Sequence, residues 1–151
     1  DQPRSRGLGD VYKRQAQAGI SFIRSVADQY KIRPEFFQEN DIHVHIPEGA
    51  VPKDGPSAGI TMATAMLSAI IKKPVRADVA MTGEITLRGR VLPIGGLKEK
   101  LLAARYAKIK EVLVPAENRV DVEELDQEIL DGLKISFVDT MTDVLHRALS
   151  K

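Results

Sequence analysis

Cysteine and tryptophan are absent from the sequence, and aromatic residues make up only 5% of it. The lack of cysteine excludes disulfide frameworks, thiolate zinc sites and every mechanism with a cysteine nucleophile. An excess of charge of one sign is also missing, because 22 Lys and Arg residues are balanced by 21 Asp and Glu residues. The chain therefore has no basic excess that would by itself attract nucleic acid or an anionic membrane.

Long hydrophobic runs are missing as well. The longest apolar stretch covers residues 60–71, and Thr61, Thr64 and Ser68 interrupt it. It is too short and too polar to span a bilayer. No apolar core of a signal peptide follows the basic residues near the start. What remains is a chain of 151 residues with 43% hydrophobic and 28% charged residues, which is typical of one soluble globular domain.

The spacing of apolar residues predicts helices and strands in alternation. Predicted helices cover residues 16–30, 57–72, 97–108, 120–130 and 141–149, and predicted strands cover 41–46, 78–82, 85–87, 90–92, 111–114 and 135–138. This alternation predicts an α/β or mixed α+β class in a single domain over 16–151. Residues 1–15 show neither helical nor strand periodicity of apolar residues, and we expect them to be a disordered or foreign leader.

Ser57 is the first candidate for chemistry. A polar loop over residues 52–59 delivers it to the first turn of the apolar helix predicted from residue 57. A helix N-terminus offers unpaired N–H groups and a partial positive charge, which suit a developing oxyanion. The neighbours Gly55 and Ala58 are small, so a substrate backbone could approach the hydroxyl. Serine is also among the commonest N-cap residues, and the local pattern by itself favours that capping role.

A serine nucleophile needs a base, and histidine is the obvious one. His43 and His45 lie two apart on a predicted strand and therefore point to the same side. No third metal ligand lies at helical or strand spacing nearby, so the pattern does not favour a metal site. His146 lies on the last predicted helix, where we expect a surface position. A histidine base stays open, because members of a triad need not be close in sequence.

Lysine is the other candidate base. A lysine accepts a proton only in its neutral form, which burial favours by penalising the ammonium. On the helix predicted from residue 97, Lys98 projects beside Arg105, whereas Lys100 projects among alanines. These alanines are Ala103, Ala104 and Ala107. Lys100 is thus the better candidate for desolvation, and the alternative is a lysine that extends from an amphipathic helix into solvent.

Two further motifs admit more than one interpretation. Thr82 ends a predicted strand before Gly83, and its hydroxyl could bind a lysine amine or simply mark a turn. The pair Gly95-Gly96 invites a phosphate-binding interpretation, but it lacks the spacing of a Walker loop and of a dinucleotide fingerprint. A nucleotide-binding protein built on this glycine pair is kept as an alternative function, although the spacing does not favour it.

Three stretches of the sequence resemble the Lon protease family. Residues 52–59 resemble the segment around its catalytic serine, residues 80–100 resemble its second motif block, and residues 41–49 resemble the stretch before the serine. The resemblance covers residues 16–151 and is to the bacterial and mitochondrial branch. It implies a proteolytic domain with a ribosomal protein S5 domain 2-like fold. The family's first strands are missing here, so we expect an exposed sheet edge and a tendency to aggregate.

The resemblance also implies roles for particular residues. Ser57 corresponds to the family's nucleophile and Lys100, not Lys98, to its general base, so that the two form a Ser–Lys dyad. Thr82 corresponds to a threonine whose hydroxyl lies near the dyad lysine. The matched motifs add further supporting and surrounding residues, namely Asp54, Gly55, Pro56, Glu84, His43 and His45.

By resemblance the chain is the serine endopeptidase part of an ATP-dependent homohexameric protease that degrades unfolded or damaged proteins. ATP and Mg²⁺ are implied for an ATPase module outside this chain, since no Walker loop occurs in it. We expect no cofactor in the chain itself, and no membrane or nucleic-acid partner. The implied compartment is the bacterial cytoplasm, or else the mitochondrial matrix. A catalytically inactive binding or scaffold module of the same fold is the alternative.

Overall fold

The computed structural model describes residues 3–44 and 55–150. The helices in this part are α1 (Pro3–Ser25), α2 (Phe36–Glu39), α3 (Gly59–Ile71), α4 (Leu97–Tyr106), α5 (Arg119–Glu123), α6 (Gln127–Leu130) and α7 (Met141–Ala148). The strands are β1 (Val79–Met81), β2 (Glu84–Ile85), β3 (Val91–Leu92), β4 (Glu111–Pro115) and β5 (Lys134–Val138). Single 3₁₀ turns occupy Gly55–Ala58 and Ala116–Asn118. None of the helices described is long and apolar enough to cross a membrane.

The main sheet is parallel, with the strand order β1-β4-β5. Parallel neighbours need crossover connections, and helices α4, α5 and α6 lie in these connections. All five residues of the central strand β4 are buried, as expected for a strand covered on both faces. Strands β2 and β3 form a separate antiparallel hairpin. The predicted mixed α/β class and the predicted hairpin are confirmed.

Two apolar clusters cover the two faces of the parallel sheet. Because side chains alternate along a strand, Leu113 of β4 packs into the larger cluster, whereas Val112 and Val114 pack into the smaller one. The larger cluster joins α1, α3 and α7, and its fully buried members include Ile23, Ile60, Leu67, Met141 and Leu145. The smaller cluster lies under α4, α5 and α6. The sheet is therefore the middle layer between α3, which follows the turn that contains Ser57, and α4, which carries Lys100.

Helix α1 begins at Pro3 and ends at Ser25, whereas the apolar spacing predicted a helix over residues 16–30. Much of the predicted leader is therefore helical in the structure, and its foreign origin stays a prediction. One contact at the junction between the predicted leader and the predicted helix comes from a buried polar residue, which apolar periodicity does not detect. Gln15 is only 5% exposed, and its side-chain amide bonds both backbone groups of Ile85, at 2.8 Å to the nitrogen and 3.3 Å to the oxygen.

The strand predicted over residues 41–46 is not observed in its described part. Residues 41–44 belong to neither helix nor strand, and residues 45 and 46 lie outside the described ranges. Alternation of apolar residues predicts which side chains share a face, but a strand also needs a neighbour for its hydrogen bonds. None of the described strands pairs with this segment.

A polar cluster holds the end of the parallel sheet at which β1 and β4 begin. Glu111, only 4% exposed, accepts hydrogen bonds from Arg76 at 2.9 Å and from Ser136 at 2.5 Å, and it lies 3.6 Å from Arg147. Arg76 also binds both carboxylate oxygens of Asp78. Burial acts to raise the pKa of Glu111, but the hydrogen bonds from Ser136 and Arg76 outweigh it and lower that pKa. The hydrogen bond from Arg76 likewise lowers the pKa of Asp78.

Candidate active site

Ser57 lies in the 3₁₀ turn that precedes α3, and it is only 4% exposed. The predicted position in the first turn of the helix is therefore wrong by a short distance, because α3 begins at Gly59 with Ala58 as its N-cap. Gly83, in the short segment between β1 and β2, holds the backbone here. Gly83 N–H donates to the Ser57 carbonyl at 2.8 Å, and Ile60 N–H donates to the Gly83 carbonyl at 3.1 Å. The Ser57 hydroxyl does not cap α3, so it is available for another contact.

That contact is with Lys100 on α4. The Lys100 amine donates a hydrogen bond to the Ser57 hydroxyl, with 2.8 Å between Nζ and Oγ. The predicted helical projection is confirmed, since Lys100 is half-buried beside the alanine face of α4 and Lys98 is exposed. The structure therefore joins a buried hydroxyl and an amine that are far apart in the sequence.

The glycine pair before α4 has a structural explanation. Gly96 is the N-cap residue and has a φ of 66°, a left-handed conformation that glycine adopts without steric cost. Asn118 fixes the approach to this turn, because its side-chain amide exchanges two hydrogen bonds of 2.9 Å with the backbone of Ile94. The glycine at position 96 is thus needed to start the helix that carries Lys100, and its presence gives no support to a phosphate loop.

Thr82 follows β1 and lies in the same region. Its N–H donates to the Leu113 carbonyl at 3.2 Å, and its side chain is 5% exposed. Its hydroxyl is buried and has no hydrogen-bond partner among the described residues. An unpaired buried hydroxyl costs about 1–3 kcal/mol, so this hydroxyl would gain free energy from a hydrogen bond to a polar group in the cavity.

A cavity of about 400 Å³ connects these residues. Ser57, Thr82 and Lys100 supply its polar groups, and the rest of its described wall is apolar apart from Thr61. The cavity lies between α3, β1 and α4. This arrangement provides a hydroxyl, an amine in direct contact with it and an apolar space beside both, which is what acyl transfer to a serine requires.

The remaining predicted site residues are distributed as follows. Asp54 lies outside the described residues, while Gly55 and Pro56 form the first half of the 3₁₀ turn. Glu84 begins β2, is half-buried and is not among the described residues that line the cavity. In the described part of the chain, no contact between Glu84 and the cavity supports its predicted role.

Neither of the two histidines that the structure describes, His43 and His146, lines this cavity. His43 is exposed and lines a separate groove of about 650 Å³ with Tyr12 and Phe36. His146 lies on α7 beside the polar cluster around Glu111. His45 lies outside the described residues. Within the described ranges, no three His, Asp or Glu side chains are grouped so that they could hold a metal ion.

Gly59 provides a test of how tightly the site is packed. A Cβ at this position would overlap Gln15 Oε1 and would lie 2.8 Å from the backbone nitrogen of Ile85. Because the second contact is with backbone, we expect Gly59→Ala to lower the free energy of unfolding by about 1–2 kcal/mol in urea titrations. Gly95→Ala is the matched control, since nothing described lies within 4 Å of a Cβ there. Equal unfolding midpoints for the two variants would contradict the expectation.

Comparison with known proteins identifies the family. A family model of the Lon protease (S16) C-terminal proteolytic domain matches residues 5–151. The Lon protease of Lachnoclostridium phytofermentans is 69% identical over 142 residues, which is 94% of this chain and 18% of that protein. The Lon protease of Nitratidesulfovibrio vulgaris is 63% identical over 94% of this chain and 17% of its own length. That of Clostridioides difficile is 58% identical over 95% of this chain and 18% of its own length.

These matches define the class of the chain as a serine protease domain. The chain belongs to the Lon protease C-terminal proteolytic domain family. The resemblance of the motifs is thereby confirmed. The chain spans less than a fifth of the length of these relatives.

Proposed function

We propose that Ser57 and Lys100 form the catalytic dyad of an endopeptidase. The observation that carries the proposal is the 2.8 Å hydrogen bond between the Lys100 amine and the Ser57 hydroxyl. In the neutral state of Lys100, the amine takes the hydroxyl proton while Ser57 Oγ attacks the scissile carbonyl carbon. The amine then gives that proton to the leaving nitrogen. Lys100 then deprotonates a water molecule that attacks the acyl ester on Ser57, and it returns this proton to Ser57 Oγ as the carboxylic acid product leaves.

Two further groups complete this proposal. Thr82 lines the same cavity with a buried, unpaired hydroxyl, and we assign it the positioning of the Lys100 amine. The backbone N–H groups of the 3₁₀ turn around Ser57 are our candidates for the oxyanion hole, because such fixed donors are effective where negative charge develops. In this assignment Thr82 positions the base and does not touch the reacting atoms.

The activity of a longer protein is part of the same proposal. We infer that this domain is the proteolytic part of an ATP-dependent homohexamer that cleaves unfolded polypeptides, in the bacterial cytoplasm or in the mitochondrial matrix. Support comes from the relatives named Lon protease, of which the chain covers 17–18%. ATP and Mg²⁺ belong to a module outside this chain. We propose no membrane or nucleic-acid partner for this domain.

A peptidyl fluorophosphonate tests the dyad directly. It phosphonylates an activated serine with loss of fluoride, while the base takes the hydroxyl proton. We expect one adduct, located on Ser57 by peptide mapping, together with loss of hydrolysis of a fluorogenic peptide. Ser57→Ala should abolish both the labelling and the hydrolysis, and Ser150→Ala, at the other end of the fold, should change neither. Labelling of another residue, or hydrolysis by Ser57→Ala, would refute the proposal, and an unreactive but folded chain would favour the scaffold alternative.

A further inference from the structure

We propose that the apolar cavity beside Lys100 is the subsite for the residue that follows the scissile bond, and that it selects an uncharged apolar side chain there. The inference rests on the proposed dyad. It concerns the part of the cavity formed by the alanine face of α4, which the dyad reaction itself does not use.

The direction follows from the path of the proton. Lys100 takes the proton from Ser57 and returns it to the leaving nitrogen, so this nitrogen must come within about 3 Å of Nζ. The residue that carries the nitrogen therefore lies on the Lys100 side of the serine. The residue before the scissile bond, which stays attached as the acyl group, extends away from it.

The wall on the Lys100 side is apolar. Ala103 lies one turn beyond Lys100 on α4 and Ala107 is the C-cap residue of that helix, and Ile109 and the buried Val112 continue the wall toward the sheet. The volume of about 400 Å³ lies within the range that binds small ligands. A side chain of leucine or methionine size thus has apolar surface to contact.

Charge discriminates against other side chains. Among the described residues that line the cavity, Lys100 is the sole ionisable group. A carboxylate or an ammonium that passed Lys100 would lose its hydration and would meet no ionisable side chain among the described residues deeper in the cavity. We therefore expect apolar residues to be preferred over both acidic and basic ones.

The alanines determine how large the accepted side chain is. Ala103 and Ala107 are both exposed at the cavity surface, so a larger residue at either position fits without repacking the core. Ala103→Leu and Ala107→Leu should each reduce the space for the substrate side chain. Ala77→Leu is the matched control, because Ala77 is exposed in the turn before β1 and is not among the residues lining the cavity.

The experiment uses two series of internally quenched peptides. One series varies only the residue after the scissile bond, as Ala, Leu, Asp or Lys, and the other varies only the residue before it. In the first series we expect kcat/KM for Leu to exceed that for Asp and Lys by about tenfold or more. Ala103→Leu and Ala107→Leu should shift the preference from Leu to Ala. The Ala77→Leu variant should retain the original order.

The outcomes separate this inference from the proposed function. Hydrolysis of no peptide at all would overturn the dyad and this inference with it. Hydrolysis at rates independent of the residue after the bond would overturn the inference alone. The same holds if Ala103→Leu and Ala107→Leu alter the preference only in the series that varies the residue before the bond.

Discussion

Lys100→Arg should abolish peptide hydrolysis, with a loss in kcat/KM on the order of 10³-fold or more. The reason is that guanidinium cannot lose its proton near neutral pH, so it cannot accept the proton of Ser57. Lys100→Ala should fail equally, because the hydroxyl then loses the amine that lies 2.8 Å from it. The measurement is the hydrolysis of a fluorogenic peptide by purified variants whose unfolding temperatures have been compared.

Lys98→Ala is the matched control for this prediction. Lys98 lies on the same helix, two residues away, and is exposed. Its removal changes the net charge by the same amount as Lys100→Ala, yet it should leave kcat/KM nearly unchanged. Activity in Lys100→Arg would eliminate Lys100 as the base. The search would then return to His43 and His45, two of the three histidines in the sequence.

Glu111→Gln should lower the free energy of unfolding by about 2–3 kcal/mol at neutral pH. The carboxylate is almost fully buried and binds Arg76 and Ser136, with Arg147 nearby. A neutral amide keeps the shape of the side chain but leaves the guanidinium groups of Arg76 and Arg147 without a buried negative charge. Glu117→Gln is the control, since Glu117 pairs with Arg90 at 2.8 Å on the surface, where such a pair contributes less than about 1 kcal/mol. Equal urea midpoints for the two variants would contradict the prediction.

The same cluster predicts how stability depends on pH. The folded-state pKa values of Glu111 and Asp78 lie below their usual values of 4.5 and 3.8. The unfolded chain therefore takes up protons at a higher pH than the folded chain does. The stabilisation is present above these usual values and is lost as the pH falls below them through the folded pKa values. We expect the decline of unfolding free energy below pH 4.5 to be shallower in Glu111→Gln than in the parent chain.

Local features of the site could be predicted from the sequence because helical geometry is local. A residue advances by about 100° along a helix, so the sequence alone places Lys100 on the alanine face and Lys98 away from it. The long apolar segment after Ser57 predicted α3, and the β2–β3 hairpin followed from two short apolar runs around a glycine turn. The local pattern around Ser57 favoured an N-cap role, and the resemblance of the motif then indicated Ser57 as the nucleophile.

Other features were out of reach because they depend on partners distant in the sequence. Gln15 and Glu111 look like surface residues by type, and only the packing of α1 and of the parallel sheet buries them against polar partners. The alternation over residues 41–46 suggested a strand, but the described chain supplies no neighbour that pairs with it. Burial of a polar group leaves no periodic signal, since the compensating bond comes from elsewhere in the fold.

The sequence by itself determined the class of the fold, the helix faces and the residues with candidate chemistry, because periodicity and residue type are properties of short segments. Only the tertiary structure decided that Ser57 and Lys100 touch. Their contact spans 43 residues and arises because α3 and α4 lie on either side of β1, with the 3₁₀ turn held to the end of that strand by Gly83. A hydrogen bond of 2.8 Å between the 3₁₀ turn and α4 depends on how the sheet sets the distance between them, and no segment of the sequence contains that distance.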